Sequence, residues 1–333
     1  MRYGAYGGWS GGTHAARRDT PAGLDKGVNA MTVRMAGRKP MTKSRREFWA
    51  GMLFLAPNTI GFLVFTLIPV LAALVLSFYD WPMVGIPKFS GLNNFRRMFT
   101  MDVKFYKVLW NTFYYTLLYV PTVLAASLGL GLLITRKIRG ITSFRLMYYL
   151  PVLTSYVAAA MVFMWMFNND FGFLNYALRL FGVSGTNWLT NQATVMPAIT
   201  FVSVWKNVGR YMVIFMAGLQ NIPQQLYEAS RIDGAGKWQQ FRYVTVPMLS
   251  PTTFFLLITS MIDSFKLFDI VWCMTGGGPA DATRTLVTYI YNVSFQNFRM
   301  GYGCALSWIL FLIIFLFTAF QMRVQNRWVQ YDM

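Results

Sequence analysis

Histidine is almost missing from this chain of 333 residues, which has one, His14, and cysteine occurs only twice. A single histidine in a glycine-rich tail excludes His-based catalysis and His-rich metal sites. The two cysteines show no metal-ligand spacing, and no cofactor or metal is expected. Charge is scarce as well: 13% of residues are Asp, Glu, Lys or Arg. A soluble chain of this length would need about twice that on its surface. Acidic residues number twelve and are scattered, which leaves little for a carboxylate-based enzyme.

What the chain has instead is apolar: 55% of its residues are hydrophobic and 17% aromatic. A helix rises about 1.5 Å per residue, so crossing the hydrocarbon layer takes roughly 20 consecutive apolar residues. Six windows meet that test, at about 49–78, 109–135, 145–167, 194–219, 251–274 and 303–322. The sequence therefore predicts an all-α polytopic membrane protein with six transmembrane helices. Lys206 and Arg210 sit inside the fourth window, and Pro151 is expected to break the third near its start.

Orientation follows from lysine and arginine between the spans. With the N-terminus inside, the inner segments hold ten (1–48), four (136–145), three (220–250) and two (321–333), against eight in the outer loops. Both termini are expected on the cytoplasmic side. The net charge of +18 is thus explained by inside bias and a basic tail. No soluble basic face with aromatic platforms accompanies it, so no nucleic-acid partner is expected.

Residues 1–48 lack an apolar core, are not a signal peptide and read as a disordered basic tail. Met31, Met35 and Met41 are alternative start sites within it. Residues 49–322 form the membrane domain, and 323–333 a short tail. Cys273 and Cys304 lie near the outer ends of the last two spans. A disulfide would fit there, but two small buried thiols are the expectation. Pro57 and Pro69 are expected to kink the first span, and Gly129 and Gly131 to allow close helix contact on the second.

One polar, glycine-punctuated island interrupts the apolar pattern, EASRIDGAGKWQQFRYVTVPMLSP at 228–251. Its Gly-Ala-Gly-Lys is not a phosphate loop, because Lys237 is followed by Trp238, Arg231 stands where the first glycine belongs, and no strand precedes it. A helix-turn-helix fits better. Pro223 suits the first helical position, Gln224 to Ile232 runs as a helix, and Gly234 can end it in the left-handed conformation. A second short helix, about 237–244, is expected to stop before Pro247.

Glu228-Ala229-Ser230, Ile232-Asp233-Gly234-Ala235 and Val246-Pro247 resemble the EAA loop of ATP-binding-cassette importer permeases, with Ser230 in place of the second alanine. Trp205–Gly209, Leu219-x-x-Ile222-Pro223, Phe268-Asp269, Thr275-Gly-Gly-Gly-Pro279 and Gly301-Tyr-Gly-x-Ala305 extend the likeness. Together they resemble the carbohydrate-uptake subfamily, which contains the maltose-type and glycerol-phosphate-type permeases. The resemblance implies that the EAA loop, 221–250, is a cytoplasmic coupling element seated in a groove of a separate ATPase. Ala229 and Ser230 would allow close approach, Glu228 would offer charge to a basic partner, and Asp233 and Gly234 would shape the turn.

The same resemblance implies a substrate path on the fourth and fifth spans, with Trp205, Val208 and Gly209 on one and Ser260, Asp263 and Ser264 on the other. The last three fall at i, i+3 and i+4 and so share a helix face. Ionisable groups within a span are functional suspects by default. For Arg210 and Asp269, pairing or snorkelling is favoured over a functional role; for Lys206 and Asp263 the two readings stand level. The implied partners are a second permease subunit, an ATPase dimer, an extracytoplasmic solute-binding protein, a sugar and membrane lipid, in a prokaryotic plasma membrane. Glycerol phosphate is an alternative substrate, since Lys206 and Lys266 could meet an anion. A multi-span enzyme or a scaffold is the rival from another class.

Overall fold

A computed structural model describes residues 43–135 and 140–329. The tail over 1–42 with its alternative starts, the inner turn at 136–139 and the last four residues lie outside the described residues. The described residues divide into two units, with the boundary between Gly61 and Phe62. The first contributes helix α1 (Lys43–Phe62), which begins inside the stretch assigned to the tail. Its Leu53 and Phe54 are exposed, as suits a helix whose solvent is lipid.

The second unit opens with a π-helical segment, Leu63–Leu67, followed by α2 (Ile68–Leu76). Pro69 sits two residues past the wide turn. A proline cannot donate to the carbonyl four residues back and its ring crowds that carbonyl. A local widening to i→i+5 bonding relieves both problems. A two-stranded antiparallel ribbon follows, pairing Tyr79 with Phe89 and Asp80 with Lys88. The sequence reading has only an aromatic interface and a turn here. Gly301 accounts for the ribbon's fit, because a Cβ there would lie 1.9 Å from the Tyr79 carbonyl oxygen.

Then come α3 (Asn93–Thr100), α4 (Val103–Ile134), α5 (Ile141–Leu153), α6 (Tyr156–Met166), α7 (Phe173–Leu180) and α8 (Val195–Gln220). Asp102 caps α4, accepting from the Phe105 amide at 3.2 Å, while its other oxygen accepts from Tyr289 (2.6 Å) and Tyr302 (2.5 Å). One carboxylate thus ties the start of α4 to the last two helices of the chain. The island supplies α9 (Gln224–Ile232), α10 (Lys237–Gln240), a π segment Phe241–Thr245 and α11 (Val246–Met248). The chain closes with α12 (Ser250–Phe265), α13 (Asp269–Thr275), α14 (Leu286–Tyr291) and α15 (Met300–Gln325).

Among the described residues, Glu47–Leu76, Val103–Ile134 and Met300–Gln325 are each long and apolar enough to cross a bilayer. Two bent pairs raise the number to five: Ile141–Leu153 with Tyr156–Met166, at 100°, and Lys237–Met248 with Ser250–Phe265, at 65°. The third expected span is therefore not one helix. Its break falls not at Pro151, which lies inside α5, but at Ser155, whose extended backbone and hydroxyl cap the Val157 and Ala158 amides. The fifth expected span likewise starts earlier, at Lys237. Pro247 does not stop that helix, for the same reason as Pro69: a π segment ends two residues before it.

The expected fourth span, α8, is the exception to the apolarity test. Its 26 residues reach across a bilayer at about 1.5 Å each, but Lys206, Asn207 and Arg210 dilute its middle. The helix tolerates them because it is enclosed by other helices, with Ile199, Val202, Tyr211, Met212 and Phe215 all buried. Against α4, the Ser127 hydroxyl donates to the Val208 carbonyl at 3.1 Å. A Cβ added at Gly131 would lie 3.5 Å from the Phe215 Cβ. Gly129, expected to share that contact, faces nothing within 4 Å. Cys273 and Cys304 are free, half-buried thiols.

Candidate functional site

Lys206 is 2% exposed, and lipid or protein makes an unpaired ammonium there costly. Its Nζ donates to the carbonyls of Thr154 (2.6 Å), Pro151 (3.0 Å) and Val152 (3.4 Å). The chain turns away at Ser155, so these carbonyls lose their i+4 amides, although Pro151 also accepts from the Thr154 amide (3.2 Å) and hydroxyl (2.7 Å); a helix C-terminus carries partial negative charge. Lys206 therefore acts as a C-cap delivered by another helix, with the Tyr156 ring 4.5 Å from the ammonium. Its commitment is structural.

One turn further along α8, Arg210 meets Asp263 of α12. The Arg210 Nη2 donates to Asp263 Oδ2, and the Tyr211 hydroxyl donates to the same oxygen at 3.0 Å. Arg210 also donates to the Tyr211 hydroxyl at 2.8 Å. The expected pairing of Arg210 is present, and its partner is Asp263.

This clamp lines a cavity of about 160 Å³. Tyr115 and Tyr119 of α4 line it as stacked rings 5.3 Å apart. Tyr156, Ser203 and Asn207 line it too, with the Tyr156 hydroxyl donating to Asn207 Oδ1 at 3.3 Å. Lys266, Phe268 and Asp269 complete the rim. Four aromatic faces, several hydroxyl and amide groups and an internally paired charge thus converge on one small volume.

Of the six residues assigned to the path, only Asp263 lines this cavity. Trp205 lies about 200° around α8 from Ser203 and packs edge-on against Phe163, ring centres 5.0 Å apart. Val208 is buried against α4. Gly209 is a contact point for α5: a Cβ there would lie 2.1 Å from the Tyr148 carbonyl oxygen. Ser260 is fully buried and donates back to Leu257 at 3.1 Å. Ser264 bonds back to Met261 and meets the Thr116 hydroxyl at 2.9 Å, joining α12 to α4. Asp269, for which pairing was favoured, makes no salt bridge among the described residues.

The sequence reading misses Tyr115, Tyr119, Tyr156, Ser203, Asn207 and Phe268. Part of the signal is present in the spacing. Ser203, Asn207 and Arg210 fall at i, i+4 and i+7 on α8, and Tyr115 and Tyr119 at i and i+4 on α4, so each set forms a stripe on one helix face.

The second candidate region is the island. Helix α9 spans Gln224–Ile232 as predicted, but Pro223 precedes its first turn as an extended cap, with ψ 130°. Gly234 ends the helix at φ +79°. The Ala235 amide donates to Ser230 at 2.9 Å and the Gly234 amide to Arg231 at 3.0 Å, the paired closure of a Schellman turn. The turn is thus fixed by backbone bonds and glycine. Asp233, expected to shape it, is exposed, and its carboxylate makes no hydrogen bond or ion pair among the described residues. Glu228 and Ala229 are exposed, whereas Ser230 is half-buried with its hydroxyl donating to Tyr227 at 2.9 Å. Ile232, 87% exposed, shares the face of Glu228 and Ala229, an apolar anchor that the sequence reading leaves unassigned. The Tyr227 and Thr245 hydroxyls, 3.0 Å apart, fasten this hairpin to the stem of α12.

The fold is a multi-pass helical bundle with an inner polar cavity and a helical hairpin between its fourth and fifth membrane segments, the frame of a membrane transport subunit. The chain belongs to the family described as "Binding-protein-dependent transport system inner membrane component", whose pattern matches residues 101–330. It is a permease of the ATP-binding-cassette importer class and resides in the cell membrane. It is 36% identical over 303 residues to the probable ABC transporter permease protein YesP of Bacillus subtilis (strain 168), covering 89% of this chain and 97% of that protein. It is also 36% identical to the lactose transport system permease protein LacF of Rhizobium radiobacter, over 81% of this chain and 92% of that one. In fold it is similar to a chain of a bacterial alginate ABC transporter solved with a periplasmic protein bearing an alginate pentasaccharide. That match has a TM-score of 0.77 at 21% identity and covers 87% of this chain and 99% of the other.

Proposed function

We propose that this chain is half of the translocation path for a neutral sugar, with the cavity between α4, α8 and α12 as its substrate-facing surface. The observation carrying this reading is the make-up of the cavity. Tyr115, Tyr119, Tyr156 and Phe268 offer faces for the apolar side of a sugar ring, while Ser203, Asn207 and the Oδ1 of Asp263, unbonded among the described residues, offer partners for its hydroxyls. Its formal charge is balanced: Arg210 is paired with Asp263, and the positive Lys266 is offset by the negative Asp269, which also lines the cavity. Lys206 is spent on carbonyls, so glycerol phosphate loses one of the two cations that favoured it. Relatives named for lactose and arabinooligosaccharide transport support a carbohydrate.

Glu228, Ala229, Ser230, Asp233 and Gly234 belong to the element that couples this path to a separate ATPase dimer, with Glu228, Ala229 and Ile232 as its contact face. A second permease subunit supplies the opposite wall and an extracytoplasmic binding protein delivers the sugar, with both termini of this chain cytoplasmic. The chain itself makes and breaks no covalent bonds. Trp205, Val208, Gly209, Ser260 and Ser264 support the path by packing it, and Asp263 faces it. Reconstitution of the copurified complex in vesicles tests the reading. ATP-dependent uptake of a neutral sugar is expected; uptake confined to phosphorylated or otherwise anionic solutes would overturn it.

A further inference from the structure

A second, larger opening lies where the membrane segment α4 ends. It encloses about 800 Å³ between the last turn of α4 and the helical hairpin of the island. Leu132 and Thr135 form one wall, Tyr227 and Arg231 of α9 another, and Lys237 and Phe241 a third. Among the described residues its lining holds two cations and no acid. Neither Arg231 nor Lys237 makes a salt bridge among the described residues, and both are exposed. Leu132, Tyr227 and Phe241 line the opening with the polar Thr135, Gln240 and Thr245.

Depth decides what such a cleft can meet. The candidate span Val103–Ile134 ends between Leu132 and Thr135, so the cleft opens within a turn of the hydrocarbon boundary, at the height of lipid headgroups. The helix forming its third wall has the residues of an interfacial segment. Trp238 and Tyr243 are 72% and 74% exposed, with Lys237 and Arg242 beside them. Aromatic rings and basic side chains together are what a headgroup layer attracts, and basic pockets beside membrane segments hold anionic headgroups.

We propose that this cleft is a binding site for the phosphate-bearing headgroup of an anionic phospholipid. Arg231 and Lys237 hold the phosphate, and Leu132, Tyr227 and Phe241 receive the glycerol and the upper acyl chain. The headgroup bridges α4 to the hairpin. The ATPase-facing residues Glu228 and Ala229 point elsewhere, at about 100° and 200° around α9 from Tyr227, whereas Arg231 lies only about 40° from it. The cleft side of α9 thus centres on Tyr227 and Arg231, with Arg231 about 60° from Glu228 and bordering the ATPase-facing side. The bridged hydroxyl pair Tyr227–Thr245 lies in the cleft wall, so occupancy bears on the joint between hairpin and membrane helix.

The test uses the full chain, with the subunits that copurify with it, in nanodiscs of phosphatidylcholine doped with phosphatidylglycerol, read by native mass spectrometry of retained lipid. Retention of phosphatidylglycerol over phosphatidylcholine is expected. Arg231→Gln and Lys237→Gln should each lower that preference about fivefold, and together about twenty-fivefold, the effect of removing one and two headgroup-facing cations. Inorganic phosphate at millimolar concentration should not displace the lipid; displacement would make this a site for free phosphate and overturn the proposal. Equal retention of both lipids, or an unchanged preference in the double variant, would overturn it as well. Loss of lipid whenever the ATPase is bound would do the same, assigning the cleft to that protein. A photoreactive phosphatidylglycerol on the wild-type chain serves where a variant fails to fold. Crosslinks within residues 227–241 support the site, and crosslinks confined to other segments exclude it.

Discussion

The ammonium of Lys206 stands 2.6 Å from the carbonyl oxygen of Thr154, at the corner where the third membrane segment turns by 100°. A cation on one helix thus closes the end of another. Two separate helices, α5 and α6, with the chain ordered between them, depend on that closure.

Replacing this lysine removes three hydrogen bonds from a buried corner. Lys206→Met should destabilise the chain by about 1–3 kcal/mol for the Thr154 and Val152 carbonyls left unpaired, Pro151 keeping its bonds from Thr154. Thermal unfolding of the detergent-purified protein checks it. An unchanged midpoint would mean the corner is held by packing alone.

The Arg210–Asp263 pair makes a sharper case, because each partner protects the other. Asp263→Ala leaves an uncompensated guanidinium in the cavity wall and should reduce uptake at least tenfold without loosening ATPase association. The double variant with Arg210→Ala should recover part of the loss, with a coupling of about 0.5–3 kcal/mol in a double-mutant cycle. Strictly additive effects would show that the two residues act separately.

Glu228→Lys reverses the exposed charge of α9 while leaving its backbone closure alone. Membrane insertion should be normal and transport abolished. Wild-type uptake together with wild-type ATPase association would remove Glu228 from the contact face.

The glycines separate into those that are needed and one that is not. Gly209→Ala drives a methyl group to within 2.1 Å of the Tyr148 carbonyl oxygen, so α5 must move, and folded yield should fall sharply. Gly129→Ala meets open space and should leave yield unchanged or raise it slightly, since alanine favours helix. Parallel expression and size-exclusion profiles of the two variants decide the matter.

The helical bundle was legible because lipid leaves few options: long apolar runs must be helices, and lysine and arginine mark the gaps between them. Helix α9 and its Gly234 stop were legible because capping chemistry is local. The break at Ser155 was not, since it depends on Lys206 arriving from about fifty residues away to satisfy the loose carbonyls. Pro247 misled for the complementary reason: proline ends a regular helix, but a preceding π segment absorbs it. In the cavity, Asp263 was found because a charge in a span is conspicuous. The tyrosines were missed because an aromatic on an apolar helix looks like core until the neighbouring helices fix which face opens inward. Ser260 and Ser264 looked polar in sequence yet spend their hydroxyls on their own helix.

The 65° angle between Lys237–Met248 and Ser250–Phe265 has a mechanical meaning. A push delivered along the first helix, at the hairpin, has a larger component across the second than along it. Asp263 rides near the far end of that second helix, opposite Arg210. On the proposed coupling, the bend would act as a bell-crank, turning thrust at the hairpin into a sideways swing of one cavity wall.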